Sequence, residues 1–317
     1  MSSSPCPCRD EFFEGSGVIR HAVADITPVD SVSQALYERW LAEGCQGGMD
    51  YLSRYPDIRT DPAQLLEGAL SIVCCAIPYP NPNHLPPRKA RIAAYALGDD
   101  YHEVVRERLS AVARRIEDTY GGATRVCVDT APLRERYWAR KSGLGIIGLN
   151  NHLIIPGIGS CFFLGEILTT VRLEPTLPDL PADCGRCGRC VRACPTGALR
   201  PDGSVDARRC LSYLTIEHRG EFPEGTDLHG CLYGCDICAS VCPHNSGTSQ
   251  APVPEELMPR PALLNLTVEE AAQLTQEQFS ALFRRSAIKR AKLAGLRRNA
   301  LTLLQSTNHK SQFTIDR

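Results

Sequence analysis

The spacing of apolar residues predicts strands alternating with helices over residues 1–173. Residues 69–77, "ALSIVCCAI", form a continuous apolar run that is typical of a strand buried on both faces, so Cys74 and Cys75 are expected in the core. From Val105 onward, apolar side chains recur at i, i+4, i+7 and i+11, with charged residues between them. This spacing predicts an amphipathic helix over residues 101–120, packed against a sheet.

The same alternation continues on both sides of that helix. Residues 31–55 read as a helix followed by a glycine-rich turn. Farther along, "TRVCVD" predicts a strand, "PLRERYWARK" a helix with Pro132 in its first turn, and "HLIIP" and "CFFLGEILTT" two more strands. Elements in this order predict a layered α/β or α+β domain over residues 1–173.

Prolines mark the end of this first domain. The stretch "LEPTLPDLPADC" separates it from a cysteine-rich unit, residues 174–250. The remaining segment, residues 251–317, is predicted to be helical from Thr267 onward. Two capping boxes, Thr267 with Glu270 and Thr275 with Gln278, mark helix starts there.

Composition and charge restrict the compartment and the partners. The 317 residues carry a formal net charge of −1, so a polyanionic partner must be met by a local patch. No apolar run reaches the roughly 18 residues of a membrane span, and the N-terminus lacks the basic start and apolar core of a secretory signal. A cytoplasmic protein without membrane association is therefore expected. The Ser/Pro-rich terminus with Cys6 and Cys8 reads as disordered.

The cysteines carry the strongest chemical signal. In a reducing compartment, 16 cysteines predict metal ligands rather than disulfides, and nine of them lie between positions 184 and 242. One group matches C-x2-C-x2-C-x3-C-P, in which three thiolates hold one [4Fe-4S] cube and the fourth reaches a second cube. This group is Cys184, Cys187, Cys190 and Cys194, followed by Pro195.

A second motif, C-x2-C-x3-C-P, supplies Cys235, Cys238 and Cys242. Crossed ligation gives one cluster Cys184, Cys187, Cys190 and Cys242, and gives the other Cys194, Cys235, Cys238 and one further ligand. Spacing alone does not decide whether that further ligand is Cys231 or Cys210. Zinc is the competing metal, but it usually takes separated CxxC pairs. Two cubes side by side relay single electrons, which predicts a reductive site in the first domain.

The sequence offers three candidates for the residues of that reductive site and does not decide between their roles. "GLGIIG", residues 143–148, matches a dinucleotide fingerprint, but a helix precedes it and a strand follows it, which favours a tight connection. Asp129 ends a strand, where α/β sheets present ligand-binding groups, yet capping of the next helix is the simpler interpretation. Tyr101 and His102 are candidate proton donors, although a lone histidine is more often solvated or buried in the core.

A basic run, "RRSAIKRAKLAGLRR", lies in the C-terminal segment and contains no acidic residue. On a helix it forms a cationic face suited to phosphate backbones. The alternative is a solvated amphipathic helix that buries Ile288, Leu293 and Leu296. Candidate RNA contacts are Arg284, Arg285, Lys289, Arg290, Lys292, Arg297 and Arg298.

Several of these motifs together resemble the epoxyqueuosine reductase family. The resemblance rests on "YALGDDYHEV", "VDTAPLRERYWARKSGLGIIGLN", "CGRCGRCVRACPTGAL", "RRCLSYLTIEHRG" and "YGCDICASVCPHN", and it extends from about residue 40 to residue 305. It implies a nitroreductase-like cobalamin-binding domain, a ferredoxin-like domain with two [4Fe-4S] clusters, and a short helical segment. The implied activity is reduction of epoxyqueuosine to queuosine in the anticodon loop of tRNA.

The resemblance also implies site residues. Asp129 becomes the proton donor, with a pKa expected to be raised by burial against corrin and substrate. Cys210 becomes the fourth ligand of the second cluster. Tyr101 and His102 line the substrate pocket. The residues implied to meet cobalamin are Arg59, Gly143, Gly145, Gly148, Ser212 and Tyr213. A low-potential electron donor is required, and a monomer is expected.

Two departures from the family pattern stand out. Leu149 occupies a position where many relatives have lysine, so a polar contact is missing or replaced there. Many relatives also continue into a helical-repeat tail that binds tRNA, of which residues 251–317 contain the first helices. The expected tRNA contact is therefore weaker or more salt-sensitive. The alternative functions are a reductive dehalogenase-like cobalamin enzyme and an electron-transfer ferredoxin with an accessory domain.

Overall fold

A four-stranded antiparallel sheet forms the centre of the first domain. The computed structural model describes residues 4–247 and 252–312, with side chains up to residue 306. Strand order in the sheet is β1-β2-β7-β4, formed by Arg20–Asp25, Ser71–Pro78, Phe162–Thr169 and Thr124–Cys127. Every neighbouring pair in it is antiparallel. Of the two predicted classes, the domain is therefore α+β.

Strand β2 is buried along its whole length, as its continuous apolar sequence predicts. Helix α3, Tyr101–Tyr120, covers one face of the sheet with Val105, Leu109, Val112 and Ile116, and α4, Glu135–Lys141, covers the other with Trp138. Gly165 of β7 allows α3 to approach closely, because a Cβ at this position would lie 2.6 Å from Leu109 Cδ1.

The remaining elements are short, apart from helices at the two ends of the chain. The other strands are β3 Arg91–Ile92, β5 Ile146–Ile147, β6 Leu153–Ile154 and β8 Cys231–Tyr233. The other α-helices are α1 Ser31–Ala42, α2 Pro56–Thr60, α5 Arg189–Ala193, α6 Leu211–Ile216, α7 Ile237–Ser240, α8 Pro261–Asn265, α9 Val268–Gln273, α10 Gln276–Leu282 and α11 Lys292–Gln312. The 3-10 helices are Asp10–Phe13, Asp50–Leu52, Pro62–Leu65, Pro82–His84, Ala94–Ala96, Ala207–Arg209, Pro243–Asn245, Glu255–Leu257 and Ala287–Ala291.

Two local predictions are corrected, and the tight connection favoured for residues 143–148 is confirmed. Pro132 does not lie in the first turn of α4, because that helix begins at Glu135. "GLGIIG" forms one side of the β5–β6 hairpin and precedes no helix, so the dinucleotide interpretation is wrong. Within the described part of the N-terminus, Cys6 is not disordered: its backbone pairs with that of Leu173, and Phe12 nearby is buried.

The C-terminal helices share a core with the cysteine-rich unit. Leu228 and Tyr233 pack in one buried cluster with Phe283, Ile288 and Leu296. Both predicted capping boxes are present at the starts of α9 and α10. The division into residues 1–173, 174–250 and 251–317 stays a prediction, since the buried clusters extend across its boundaries. No helix among the described residues is long and apolar enough to span a bilayer.

Candidate functional site

One large cavity lies between the sheet domain and the cysteine-rich unit. Its volume is about 1840 Å³, well above the roughly 300–1,000 Å³ typical of sites for drug-sized ligands. Residues of α1, the start of α3, the loop before α4 and the cysteine-rich unit line it. Its arginines are Arg39, Arg54, Arg59, Arg106, Arg134, Arg136, Arg140, Arg200 and Arg290. The same walls carry eight carboxylates, two of which, Glu43 and Glu217, pair with Arg200 and Arg290. The cavity therefore suits a large ligand with polar and charged groups.

Three predicted polar residues meet on one wall. Tyr101 Oη donates to Asp129 Oδ2 at 2.9 Å, and His102 Nε2 lies 2.9 Å from the same oxygen. Asp100 caps helix α3 by accepting from the backbone N–H of His102, and its Oδ1 lies 2.7 Å from His102 Nδ1. The cap thus also orients the imidazole. Asp129 does not cap α4, whose N-cap is Arg134.

Hydrogen bonds and neighbouring charges set the pKa values of this group. Partial burial opposes the charge on His102, but hydrogen bonds to Asp100 and Asp129 outweigh it and raise the pKa of His102 to about 9. Burial likewise raises the pKa of Asp129, but the hydrogen bond and charge of His102, the hydroxyl of Tyr101 and the charge of Arg290 together lower it below the ordinary value. The upward shift of the Asp129 pKa expected from burial against corrin and substrate stays a prediction, because here the carboxylate faces the open cavity.

Glu135 is a functional candidate that the sequence analysis missed. Its Oε1 accepts a hydrogen bond from the backbone N–H of Asp129 at 2.5 Å, and its side chain also lines the cavity. Burial and the neighbouring charge of Asp129 raise the pKa of Glu135 to about 8. Nearby lies Glu166 of β7, which is fully buried, and neither of its oxygens has a hydrogen-bond partner among the described residues. The available signal was an acid at the first position of the helix after "VDT".

The predicted ligands of the second cluster also line the cavity. They are Cys194, Cys210, Cys235 and Cys238. The thiol of Cys210 interacts electrostatically with those of Cys235 and Cys194, as expected for one set. Cys231 is buried outside the cavity and lies beside Cys235. Of the two candidates that spacing left equal, Cys210 faces the cavity with the other three.

None of the predicted ligands of the first cluster lines the cavity, although Cys190 packs beside Cys194 and Cys238 of the second set. Cys242 interacts electrostatically with Cys184 and Cys187, and Cys190 interacts with Cys242 and Cys187. Among the described residues, no three His, Cys, Asp or Glu side chains converge closely enough to bind one metal ion. The thiolates of a cube bind four different irons, so they need not converge on one point. These interactions agree with the two predicted sets, but Cys238 also interacts with Cys190, so the division of ligands stays a prediction.

The residues implied to meet cobalamin are only partly brought together. Arg59 and Ser212 line the cavity, whereas the hydroxyl of Tyr213 accepts from the backbone N–H of Gly48. The three hairpin glycines, Gly143, Gly145 and Gly148, do not line it; a Cβ on them would collide with Pro178 or with residues 150–154. Ile147 of the same hairpin does line the cavity. The close packing of the hairpin accounts for these glycines.

The basic C-terminal run is not one helix, contrary to prediction. A 3-10 helix, Ala287–Ala291, precedes α11, and Arg285 and Lys292 have positive φ. Arg298 is half-buried and donates to the carbonyls of residues 214, 218 and 220, so it joins α11 to the cysteine-rich unit instead of facing solvent. As the amphipathic alternative expects, Ile288 and Leu296 are buried.

The other basic candidates differ in their surroundings. Arg285 pairs with Asp99 and Glu103, and Arg290 pairs with Glu217 at 2.8 Å while lining the cavity. Arg297 is exposed and donates to the carbonyl of residue 272. Arg284, Lys289 and Lys292 are exposed, and no ion pair among the described residues involves them. These three remain the best-exposed candidates for RNA contact.

Comparison with known proteins identifies the family. A family model described as "Epoxyqueuosine reductase QueG, DUF1730" matches residues 59–130, and one described as "4Fe-4S double cluster binding domain" matches residues 183–245. The epoxyqueuosine reductase of Gloeobacter violaceus is 43% identical over 273 residues, which cover 84% of this chain and 85% of the relative. The chain belongs to the epoxyqueuosine reductase family. The enzyme of Leadbetterella byssophila is 38% identical, with 83% and 86% covered.

Solved structures of this family have the same fold. A crystal structure of an epoxyqueuosine reductase with an epoxyqueuosine-modified tRNA stem loop matches with a TM-score of 0.83 and 29% identity, covering 93% of this chain and 79% of that chain. The enzyme of Streptococcus thermophilus matches with a TM-score of 0.82, 29% identity and the same coverage. The predicted family and the predicted combination of a mixed helix–sheet fold with a double [4Fe-4S] domain are confirmed.

Proposed function

We propose that this chain reduces epoxyqueuosine to queuosine in the anticodon loop of tRNA, with cobalamin in the cavity and two [4Fe-4S] clusters as electron relays. The observation that carries the proposal is the cavity itself. It has a proton-holding group, Asp129 with His102 and Tyr101, on one wall and four cysteines of one cluster set on another. Family membership supports this reaction, and the tRNA-bound relative supports tRNA as the partner.

The cavity fits cobalamin in size and in the chemistry of its walls. It exceeds the volume of ordinary small-ligand sites, and its arginines suit a phosphate-bearing ligand. Arg59 and Ser212 are the implied contacts that line it. When bound, cobalamin would supply a reactive cobalt that accepts single electrons and passes them to the substrate. The remaining chemistry falls to side chains of this chain.

The cysteine sets suit two [4Fe-4S] clusters. We assign Cys184, Cys187, Cys190 and Cys242 to the first, and Cys194, Cys210, Cys235 and Cys238 to the second. The second set lines the cavity and the first does not, so electrons would enter at the first cluster and leave from the second. Cys231 has no ligand role in this assignment.

Asp129 and His102 together hold a proton beside the substrate position. Conversion of the epoxide to an alkene and water consumes two electrons and two protons, and an acid must protonate the oxygen as the C–O bond breaks. In the open cavity the proton resides on His102, whose pKa is raised, while Asp129 is ionised. Filling the cavity excludes water and penalises this charge pair, which favours transfer of the proton to Asp129 Oδ2 and then to the epoxide oxygen.

Other parts of the proposal rest on the same chemistry. The clusters need a low-potential donor that delivers one electron at a time. Action in the cytoplasm, where thiols stay reduced, agrees with the cysteine content, and a monomer is part of the proposal. RNA contact is assigned to the exposed Arg284, Lys289 and Lys292 near the cavity arginine Arg290.

Anaerobic turnover tests the proposal directly. The protein is reconstituted with clusters, supplied with a chemical reductant and tRNA carrying epoxyqueuosine, and assayed with and without cobalamin by mass analysis of nucleosides. Queuosine is expected only when cobalamin is present. No queuosine from protein that carries both clusters and cobalamin would refute the substrate assignment, and halogenated small molecules would then be the next substrates to assay.

The variant Asp129→Asn tests the proton donor. Asparagine matches the shape of aspartate and tolerates positive φ, so the loop is expected to persist. Turnover should fall by about 10²–10⁴-fold, the usual contribution of a general acid, while cluster and cobalamin absorbance stay at native levels. Turnover within a few-fold of native would contradict the assignment.

A further inference from the structure

A groove beside the first cysteine set has no role in the reaction proposed above. It is lined by Arg189, Arg192, Ala193, Ser240, Val241, Cys242, Pro243 and Ser246, and we call it the arginine groove. None of these residues lines the large cavity. The groove thus gives access to the first cluster set from solvent, on a surface that the tRNA base does not have to reach.

The arginines of this surface form no ion pair among the described residues, although Asp183 directly precedes Cys184 in the sequence. Between Cys184 and Pro195 the chain has three arginines and no acidic residue. Arg186, Arg189 and Arg192 are exposed, and no ion pair of the described residues involves any of them. Arg192 donates to the backbone carbonyl of Cys187, and Cys187 itself is an exposed cysteine of the first set. Positive charge therefore surrounds the part of that set nearest to solvent.

We infer that the arginine groove is the docking surface for an acidic protein that donates single electrons to the first cluster. The inference rests on the proposed function, because a reductase whose two clusters relay electrons needs such a partner. A carrier must bring its redox group close to a cluster, and the first set lies outside the cavity where the substrate binds. Exposed arginines favour an acidic surface and accelerate its approach.

Charge substitution at Arg189 provides the test, since no hydrogen bond or ion pair of the described residues uses its side chain. The protein with reconstituted clusters is mixed anaerobically with a reduced acidic flavodoxin, and bleaching of cluster absorbance is followed by stopped flow. For Arg189→Glu the second-order rate constant should fall about tenfold at low ionic strength, and the difference should shrink at high salt. Arg189→Lys should stay near native.

Two controls separate loss of docking from a general charge effect and from a change in cluster potential. Arg114→Glu, an equal charge change on the exposed side of α3, should leave the rate unchanged. The midpoint potentials of the clusters, measured by EPR-monitored titration, should be the same in Arg189→Glu and native protein. A native rate in Arg189→Glu, or an equal loss in Arg114→Glu, would overturn the inference, as would a changed cluster potential that accounts for the slower reduction.

The readout does not depend on the proposed reaction, because cluster bleaching needs neither cobalamin nor tRNA. Turnover driven by a chemical reductant, measured in parallel, reports on the proposed function alone. Measuring tRNA binding to the same variants shows whether the groove binds RNA instead of an acidic protein. Weaker tRNA binding by Arg189→Glu, together with an unchanged rate of reduction by flavodoxin, would assign the groove to RNA and refute the electron-donor proposal.

Discussion

Asp129 combines an uncommon backbone conformation with a functional contact. Its φ is +46°, in the left-handed region, which an aspartate tolerates better than most residues but which still costs free energy. Three contacts hold it there: the backbone N–H to Glu135, and the carboxylate to Tyr101 and His102. The strain is therefore offset by the same contacts that aim the carboxylate into the cavity.

The raised pKa of His102 predicts a pH dependence. Its folded-state pKa of about 9 exceeds the ordinary 6.5, so the stabilising charge pair is fully formed below about 6.5 and lost as pH rises through about 9. Single-turnover rates should fall over the upper part of that range. Asp100→Asn keeps the helix cap but removes one charge partner, so the fall should begin about one pH unit lower. A pH profile identical to native would contradict this role of His102.

Glu135 is expected to position the Asp129 loop as a hydrogen-bond acceptor. Glu135→Gln keeps an acceptor oxygen and should retain turnover within a few-fold. Glu135→Ala removes it, and the rate should fall by about ten- to hundredfold because the carboxylate is misplaced. Cobalamin and cluster absorbance serve as controls. Equal rates in the two variants would show that the hydrogen bond to Asp129 has no positioning role.

The fourth ligand of the second cluster is tested by a matched pair of substitutions. Cys210→Ser should lower the iron content to about one cluster per chain, because Cys210 lines the cavity with the other three thiols. Cys231→Ser should retain both clusters, since Cys231 is buried outside the cavity. Iron and sulfide analysis with EPR gives the count, and the reverse pattern would exchange the two roles.

Helix starts contribute to both stability and function. The first turn of α3 uses Asp100 as its cap, and the same carboxylate contacts the imidazole of His102. The caps of α9 and α10 are reciprocal: each threonine accepts from the N3 backbone, and the N3 side chain accepts from the threonine backbone. Capping thus orients a cavity-lining side chain at the start of α3 and stabilises short helices in another part of the chain.

Loss of one such cap should measurably lower the free energy of unfolding. Thr267→Ala leaves a backbone donor of α9 unpaired and should reduce the free energy of unfolding by about 1 kcal/mol. Thr267→Ser keeps the hydroxyl and should stay close to native. Urea unfolding of the reconstituted protein, followed by circular dichroism under anaerobic conditions, measures both. An alanine variant as stable as the serine variant would refute the contribution of the cap.

The C-terminal helix and the cysteine-rich unit are joined by buried polar contacts as well as by a shared core. Asn299 is fully buried, and its Nδ2 donates to the carbonyls of Thr215 at 2.8 Å and Leu232 at 3.0 Å. Arg298 beside it donates to three further carbonyls of that unit. Helix α11 therefore supports the segment that carries Cys210 and Cys235.

Asn299→Ala should destabilise this whole region. The substitution leaves two carbonyls without their partner in a buried position, at a cost of about 2–4 kcal/mol. Because the core is shared, the unfolding midpoint and retention of the clusters should decrease together. Leu301→Ala on the half-exposed side of the same helix should have a much smaller effect. Loss of helix signal without loss of clusters would show that the two parts unfold independently.

Local patterns determined much of this protein. Continuous apolar residues identified β2, 3.6-residue spacing identified α3, and capping residues identified the starts of α9 and α10. Cysteine spacing and the ordered motifs led to the double-cluster domain and the family. These features depend on neighbours within a few positions, where periodicity and side-chain chemistry suffice.

Contacts between distant segments required the folded chain. The antiparallel order of the sheet, the shared C-terminal core and the cavity contacts of Cys210 join residues far apart in sequence. Asp129 lies 27 positions from His102, and no local pattern relates their side chains. Arg298 was misassigned for the same reason, since its carbonyl partners lie 78 to 84 positions away. Glu135, only six positions from Asp129, was missed although a local signal was present. Burial and charge pairing across the assembled core decide which groups meet, and local spacing does not encode them.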